Sequence, residues 1–355
     1  MPSMYKSIKL SALLLVIATV ASSKSQTIYV DALKGNNSGN GTLTSPVYSL
    51  GKAIALAAML PGDKPVTIKL APGLYLLDSQ VLILPNSNSK NTATLSFEAM
   101  LMPDDTAWQP SKMPVIQSIS GNNKDYGHFN HCIGFQVERD NVCFKGLKFI
   151  GNARPDVGYY YAIERHKPEL KGLEISQCYF VADKNSLVMQ GAVFAQGAGI
   201  NIDHCIFYGC KNAVLVFQGL KDFSLTHSII YGAYEGAFWY GYGTGADAPF
   251  TFHDNIVADC NYFLIGYKEK HTNYNFTNSV ISGNAHLLGF NGDEAEPDTL
   301  NTAVLTGTLI TGKVLLREIT DKGVPRNYLH PTPTSAGYGL DAGIFIKNTG
   351  TITAH

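Results

Sequence analysis

Read as hydrophobic and polar positions, the stretch from Val142 to Ile310 is one short phrase written seven times. The copies are Val142–Phe149, Leu173–Phe180, Ile200–Phe207, Phe223–Ile230, Phe250–Val257, Tyr274–Ile281 and Ala303–Ile310. In each, apolar residues two apart, then a polar pair, then another apolar position describe a short strand, a tight corner and the next strand. Their closing apolar residues fall 31, 27, 23, 27, 24 and 29 positions apart. Strand-built repeats of about 20–30 residues imply a solenoid in which each coil buries its face against its neighbours. The predicted fold is all-β, a right-handed parallel β-helix with an N-terminal capping helix.

A second register runs between the copies, in Cys132–Gln136, Ala162–Lys167, Ala192–Gly197, Ala213–Gln218, Ala237–Tyr242, Tyr262–Lys268 and Ala285–Asn291. Strand alternation puts one row inside and its neighbour outside. With Ile163, Val193, Val214, Phe238 and Phe263 inside, the outer row is Glu164, Phe194, Leu215, Trp239 and Leu264. The next outer row holds His166, Gln196 and Phe217. The repeated phrase itself reads as scaffold. Cys178 and Cys205 share an inward corner position with Ser228, Asn255, Ser279 and Thr308. His204 and His227 sit beside that position, at a corner where left-handed backbone is tolerated by Asn, Asp and His.

The ends of the chain differ from its middle. Lys6 and Lys9, an apolar run from Leu10 to Val20 and the small residues Ala21, Ser22 and Ser23 match a cleaved secretory signal. The apolar run is too short to span a bilayer. These features predict a secreted or periplasmic protein. A strand at Thr27–Asp31 precedes a helix opened by Ser45 and Pro46, with Leu50, Ala53, Ile54 and Ala57 as its apolar stripe. The expected organisation is a signal over 1–23, an N-terminal cap over 27–65, coils over 66–313, and a tail over 314–355 that caps the far end.

Composition narrows this little further. The chain has 355 residues, 45% hydrophobic and 15% charged, with a net charge of −1. That supports a large core, and a solenoid grows by adding coils, so one elongated domain is expected. No run of Lys or Arg points to nucleic acid. The six cysteines do not read as a disulfide framework. Cys210 and Cys260 share a register two coils apart, about 10 Å at ~4.8 Å per coil, beyond the reach of a disulfide. Nor is there metal-type spacing among them. All six read as small buried residues.

The opening Tyr29-Val-Asp, Gly35, Gly39, Gly41-Thr, Ser45-Pro46, Leu50, Ala53-Ile54, Pro61-Gly-Asp63 and Pro72-Gly-Leu-Tyr75 resembles that of secreted pectate-lyase-like β-helix proteins. The tail Asp321-Lys-Gly-Val-Pro-Arg326 with Gly339-Leu-Asp-Ala-Gly343 is similar to how many of them close. The resemblance covers nearly the whole mature chain and is specific for fold rather than reaction. It implies a substrate lying along the second strand face, with a polysaccharide as partner and a monomer as the expected state. On that face Glu164, Gln196, Phe217, Gln218, Trp239, Tyr240 and Tyr267 are candidate substrate-binding residues. Abstracting the proton α to a uronate carboxyl needs a base and a cation that stabilises the enolate. Arg165, His166 and Lys167, with Tyr242 and Lys268 further along, are the candidates. The resulting expectation is a lyase acting on an acidic glycan by β-elimination. The alternatives are a glycoside hydrolase on the same fold and a non-catalytic glycan-binding protein. The carboxylate and histidine motifs of polygalacturonases are absent, as is the acid cluster of calcium-dependent pectate lyases. No metal ligands are assigned, and a Ca²⁺ site built partly from carbonyls stays open.

Overall fold

In the computed structural model the described residues are 26–85, 93–125, 129–240, 250–266, 274–290, 296–297, 305–306 and 309–345. They form a right-handed parallel β-helix whose coils stack three sheets. Sheet 1 runs from Gln26–Val30 through Val66–Leu70, Leu95–Ala99, Val142–Lys145, Lys171–Ser176, Ala198–Asp203, Ser224–Thr226 and Thr251–His253 to Tyr274–Thr277 and Leu305–Thr306. Sheet 2 contains Gly73–Leu77, Pro114–Ser118, Lys148–Ile150, Tyr179–Val181, Ile206–Tyr208, Ile229–Tyr231, Ile256–Ala258, Ser279–Ser282 and Leu309–Ile310. Sheet 3 includes Val81–Ile83, Asn130–Val137, Tyr160–Arg165, Gly191–Ala195, Asn212–Val216, Gly236–Tyr240, Tyr262–Gly266 and His286–Phe290. Each repeated phrase supplies a sheet 1 strand, one corner and a sheet 2 strand.

The pairing confirms the reading of the first six copies. Phe149, Phe180, Phe207, Ile230, Val257 and Ile281 stand one above another. The last copy is displaced, because Ile310 pairs with Val280 and not with Ile281. Val280 and Ile310 pack beneath the tail while Ile281 packs on the core, and as all three are aliphatic the pattern lacks an aromatic or polar marker to fix its phase.

Two interior columns hold the coils in step. Phe149, Phe180 and Phe207 stack face to face at 4.8 Å. At the corner, Cys178, Cys205, Ser228, Asn255 and Ser279 are fully buried. The backbone N–H of Cys205 donates to Ser228 Oγ at 3.0 Å, that of Ser228 to Asn255 Oδ1 at 2.8 Å, and that of Asn255 to Ser279 Oγ at 3.1 Å. This column satisfies N–H groups that the tight corner takes out of the sheet ladders. The six cysteines are free and buried, as expected.

The segments before and after the coils pack differently. The helix spans Leu50–Met59 and buries Leu50, Ala53 and Ala57. It begins later than Ser45-Pro46 suggests, because Ser49 Oγ accepts from the Lys52 N–H as N-cap while Val47 bridges to Val30. This is the one α-helix among the described residues, and none is long and apolar enough to cross a membrane. The segment Val314–Phe345, expected as part of a cap on the far end, packs along the side of the coils among the described residues. It lies lengthwise along sheet 2, where Val314, Leu329, Ala342 and Ile344 pack on Tyr179, Ile206, Ile229, Ile256 and Val280. Those outward side chains are apolar, so sheet 2 needs a cover. Tyr179 Oη donates to Tyr328 O at 3.0 Å, and the Arg326 guanidinium donates to Thr106 O at 2.7 Å and Asp105 O at 3.0 Å.

Phe180→Ala removes the central ring of the stack and leaves a cavity in a core that cannot collapse around it. It should cost about 3–5 kcal/mol, measured as a lowered denaturation midpoint with the native circular dichroism retained.

Candidate functional site

Sheet 3 turns two successive side chains inward on each strand. Ala162 and Ile163, Ala192 and Val193, Ala213 and Val214, Ala237 and Phe238, and Phe263 and Leu264 all belong to the core. The outer row beside them is Gln136, Glu164, Phe194, Leu215, Trp239 and Ile265, paired coil to coil. Leu264 therefore stands over Phe238, and Ile265, not Leu264, continues the outer row. In that coil Phe263 occupies the position that is alanine in the four coils before it, which hides the phase in the sequence.

The same alternation that puts Glu164 outside turns Arg165 inside. Arg165 pairs in register with Ala195, Val216 and Tyr240, all core residues, and is itself fully buried. Its Nε donates to Gln196 O at 2.7 Å and its Nη2 to Ala198 O at 3.2 Å. Burial pushes its pKa down to about 10. Arg165 braces the corner between sheets 3 and 1, so it does not reach a substrate as a neutralising cation. Tyr240 is also in the core, its ring 4.8 Å from that of Phe250, and is not available for stacking on a sugar. Glu164 is 1% exposed, with Oε2 3.1 Å from Nε2 of the equally buried His131. Gln196 is buried as well.

What remains outside is a set of aromatic side chains. His166 is exposed and stacks on Phe194 at 5.7 Å and 24°. Phe194 meets Tyr161 at 5.5 Å and Phe217 at 5.4 Å. Phe217 and Trp239 are half-buried and Gln218 is exposed. The Trp239 indole N–H is buried without a partner among the described residues. Lys167 Nζ lies 2.7 Å from Glu138 Oε2. Burial pulls the Glu138 carboxyl up, but hydrogen bonds from Lys167 and Gln136 outweigh it and hold it below its ordinary value. Tyr242, Tyr267 and Lys268 lie outside the described residues.

A second constellation lies on the repeat phrase that the sequence presents as scaffold. The corner between sheets 1 and 2 turns through a single left-handed residue per coil: Gln177, His204, His227, Asp254 and Asn278 have φ of 56°, 50°, 47°, 57° and 45°. Stacking aligns these and the residues before them. Asp203 sits between two stacked imidazoles 4.6 Å apart, its Oδ2 2.8 Å from His204 Nδ1 and its Oδ1 2.9 Å from His227 Nδ1. Thr226 Oγ1 donates to the same Oδ1 at 2.7 Å. His253 Nδ1 is 2.7 Å from Asp254 Oδ2, and Asn278 donates its amide to the other Asp254 oxygen. Burial pulls the Asp203 carboxyl upward, but hydrogen bonds from His204, Thr226 and His227 hold it well below the usual carboxylate range. Burial lowers His204, yet Asp203 and Asp341 leave it net raised. The missed signal was columnar: Asp203-His204, Thr226-His227 and His253-Asp254 occupy the same two places in three consecutive copies.

No sequence-family profile and no curated protein matches the chain. Among solved structures it is similar to a rhamnogalacturonan lyase, with 13% identity, TM-score 0.46, and coverage of 75% of this chain and 70% of that one. It is also similar to the GH136 lacto-N-biosidase from Eubacterium ramulus, with 9% identity, TM-score 0.41, and coverage of 74% and 57%. A third is XylC in complex with xylose, with 11% identity, TM-score 0.41, and coverage of 82% and 70%. At such identities the likeness is one of chain path.

Arg165→Ala should unfold at lower denaturant, by about 2–5 kcal/mol, because it leaves a cavity and two buried carbonyls without donors. A variant that unfolds at the parent's denaturant concentration would remove Arg165 as the brace of that corner.

Proposed function

We propose that the chain is an exported, monomeric member of the pectate-lyase-like β-helix proteins that acts on a polysaccharide held along the outer face of sheet 3. The observation that carries this is the set His166, Phe194, Phe217 and Trp239, with exposed Gln218 beside it. Sugar rings present apolar C–H faces to aromatic rings, and the exposed Gln218 amide supplies directional contacts beside them. The N-terminal signal supports export, with the mature chain starting between Ser23 and Thr27.

For the reaction we favour β-elimination on a uronate glycan. His166 is the exposed base and Lys167 the adjacent cation, an arrangement suited to an acidic sugar. Hydrolysis asks for two carboxyl groups facing the substrate. Glu138 is tied to Lys167 and Glu164 to His131, the latter fully buried, which disfavours that reading on this face.

The test is incubation with a panel of uronate polysaccharides, following the ultraviolet absorbance of the unsaturated product. His166→Ala should lower the rate about 10²–10⁴-fold, and Trp239→Ala should weaken glycan retention about tenfold, ~1.4 kcal/mol. Reducing ends released from a neutral glycan with no unsaturated product would replace the lyase by a hydrolase. Retention of no glycan would remove the face as a sugar site.

A further inference from the structure

The corner constellation has a donor set that the proposed sugar face does not use. A carboxylate only accepts, so the 2.9 Å contact between His227 Nδ1 and Asp203 Oδ1 fixes the proton on Nδ1. In the neutral ring Nε2 then carries a lone pair, and it lies 3.6 Å from Asp254 Oδ2. That separation is too long for a hydrogen bond. It suits two ligand atoms each about 2.0–2.2 Å from one tetrahedral ion. His253 Nδ1 completes the group: the donor atoms of His227, His253 and Asp254 lie within 4.8 Å of one another. The supports that hold metal ligands in place are already present. Asp203 orients the His227 ring, Thr226 and His204 hold Asp203, and Asn278 holds the second Asp254 oxygen. Side-chain exposures of 28% for His227, 39% for His253 and 25% for Asp254 leave an entry path.

We propose that His227 Nε2, His253 Nδ1 and Asp254 Oδ2 form a binding site for one divalent transition-metal ion, with a fourth position left for water or a ligand. Two imidazoles and one carboxylate select Zn²⁺, Co²⁺ or Ni²⁺ over Ca²⁺ and Mg²⁺, which take oxygen ligands. Asp254 Oδ2 now accepts from His253 Nδ1 at 2.7 Å, so an entering ion must part the two and the ring must carry its proton on Nε2 instead, a change of tautomer that releases none to solvent from the neutral ring. Three ligands from consecutive coils converge only because the corner residues stack, so the site belongs to the folded solenoid.

The experiment uses the full mature chain, stripped with a chelator, dialysed and titrated with Zn²⁺ by calorimetry. A parallel titration with Co²⁺ follows the visible bands of tetrahedral cobalt. The expected result is one ion per chain and no competition from Ca²⁺ in excess. His253→Ala and Asp254→Asn should abolish the cobalt bands with the fold retained by circular dichroism. Asp203→Asn, which touches no ion, should weaken binding about 10–100-fold. Binding that survives both ligand variants would place the ion elsewhere and overturn the assignment. So would the absence of stoichiometric binding with His227 doubly protonated by ¹⁵N NMR, which would leave an imidazolium–carboxylate network only. None of these readouts involves a glycan, so they stand or fall apart from the sugar face.

Discussion

The structure depends on one constraint: parallel strands of successive coils must pair at a fixed spacing with like over like. Backbone hydrogen bonds between coils impose it, and a slip of one residue would turn every inward side chain outward. Everything else follows as columns. The phenylalanine stack and the Ser228, Asn255 and Ser279 corner column are what a repeated residue becomes when its copies lie about 4.8 Å apart. Polar side chains stack as readily as rings, provided each passes a hydrogen bond to the next. That allows the Asn255 amide to sit fully buried without destabilising its corner.

The same constraint explains what was legible in the sequence. The copies and the inward corner position could be read because each residue type recurs where its environment recurs. The last coil could not, since Val280 faces the tail and Ile281 the core, and both are aliphatic, so residue type does not tell which of them Ile310 stands over. Arg165 was misread because charge alone suggested the surface, although its strand neighbours Glu164 and His166 already claimed it. An arginine can be buried when backbone carbonyls take donors from it, as those of Gln196 and Ala198 take Nε and Nη2, although Nη1 is buried without a partner among the described residues. Tyr240 failed for a related reason: a tyrosine at an inward place packs as a phenylalanine would. The tail over sheet 2 carries no periodicity of its own, so only the apolar outward residues of sheet 2 could have announced it.

The two surfaces of interest arise from opposite uses of stacking. On sheet 3 the outward residues vary from coil to coil, Glu164, Phe194, Leu215 and Trp239, so no side chain of that row repeats its neighbour. At the corner between sheets 1 and 2 the residues nearly repeat. Repetition there brings Asp203, His204, His227, His253 and Asp254 into mutual contact through atoms that are 23 or more residues apart in the chain. Side chains that are individually ordinary at a left-handed turn acquire chemistry only as a column.

The segment lying along sheet 2 changes how such a molecule comes apart. A solenoid whose units touch only their neighbours can fray from either end, one coil at a time. Here a single strand of chain is fastened to Asp105 and Thr106, to Tyr179, to Gln177 through the Phe345 N–H, and to His227 through the Gly343 N–H. Coils that have no direct contact thus share one tether. Loosening an inner coil must also detach the tether, so partial unravelling gives way to concerted opening of the coils it spans. The tail acts as the spine that makes a stack of nearest neighbours behave as one cooperative unit.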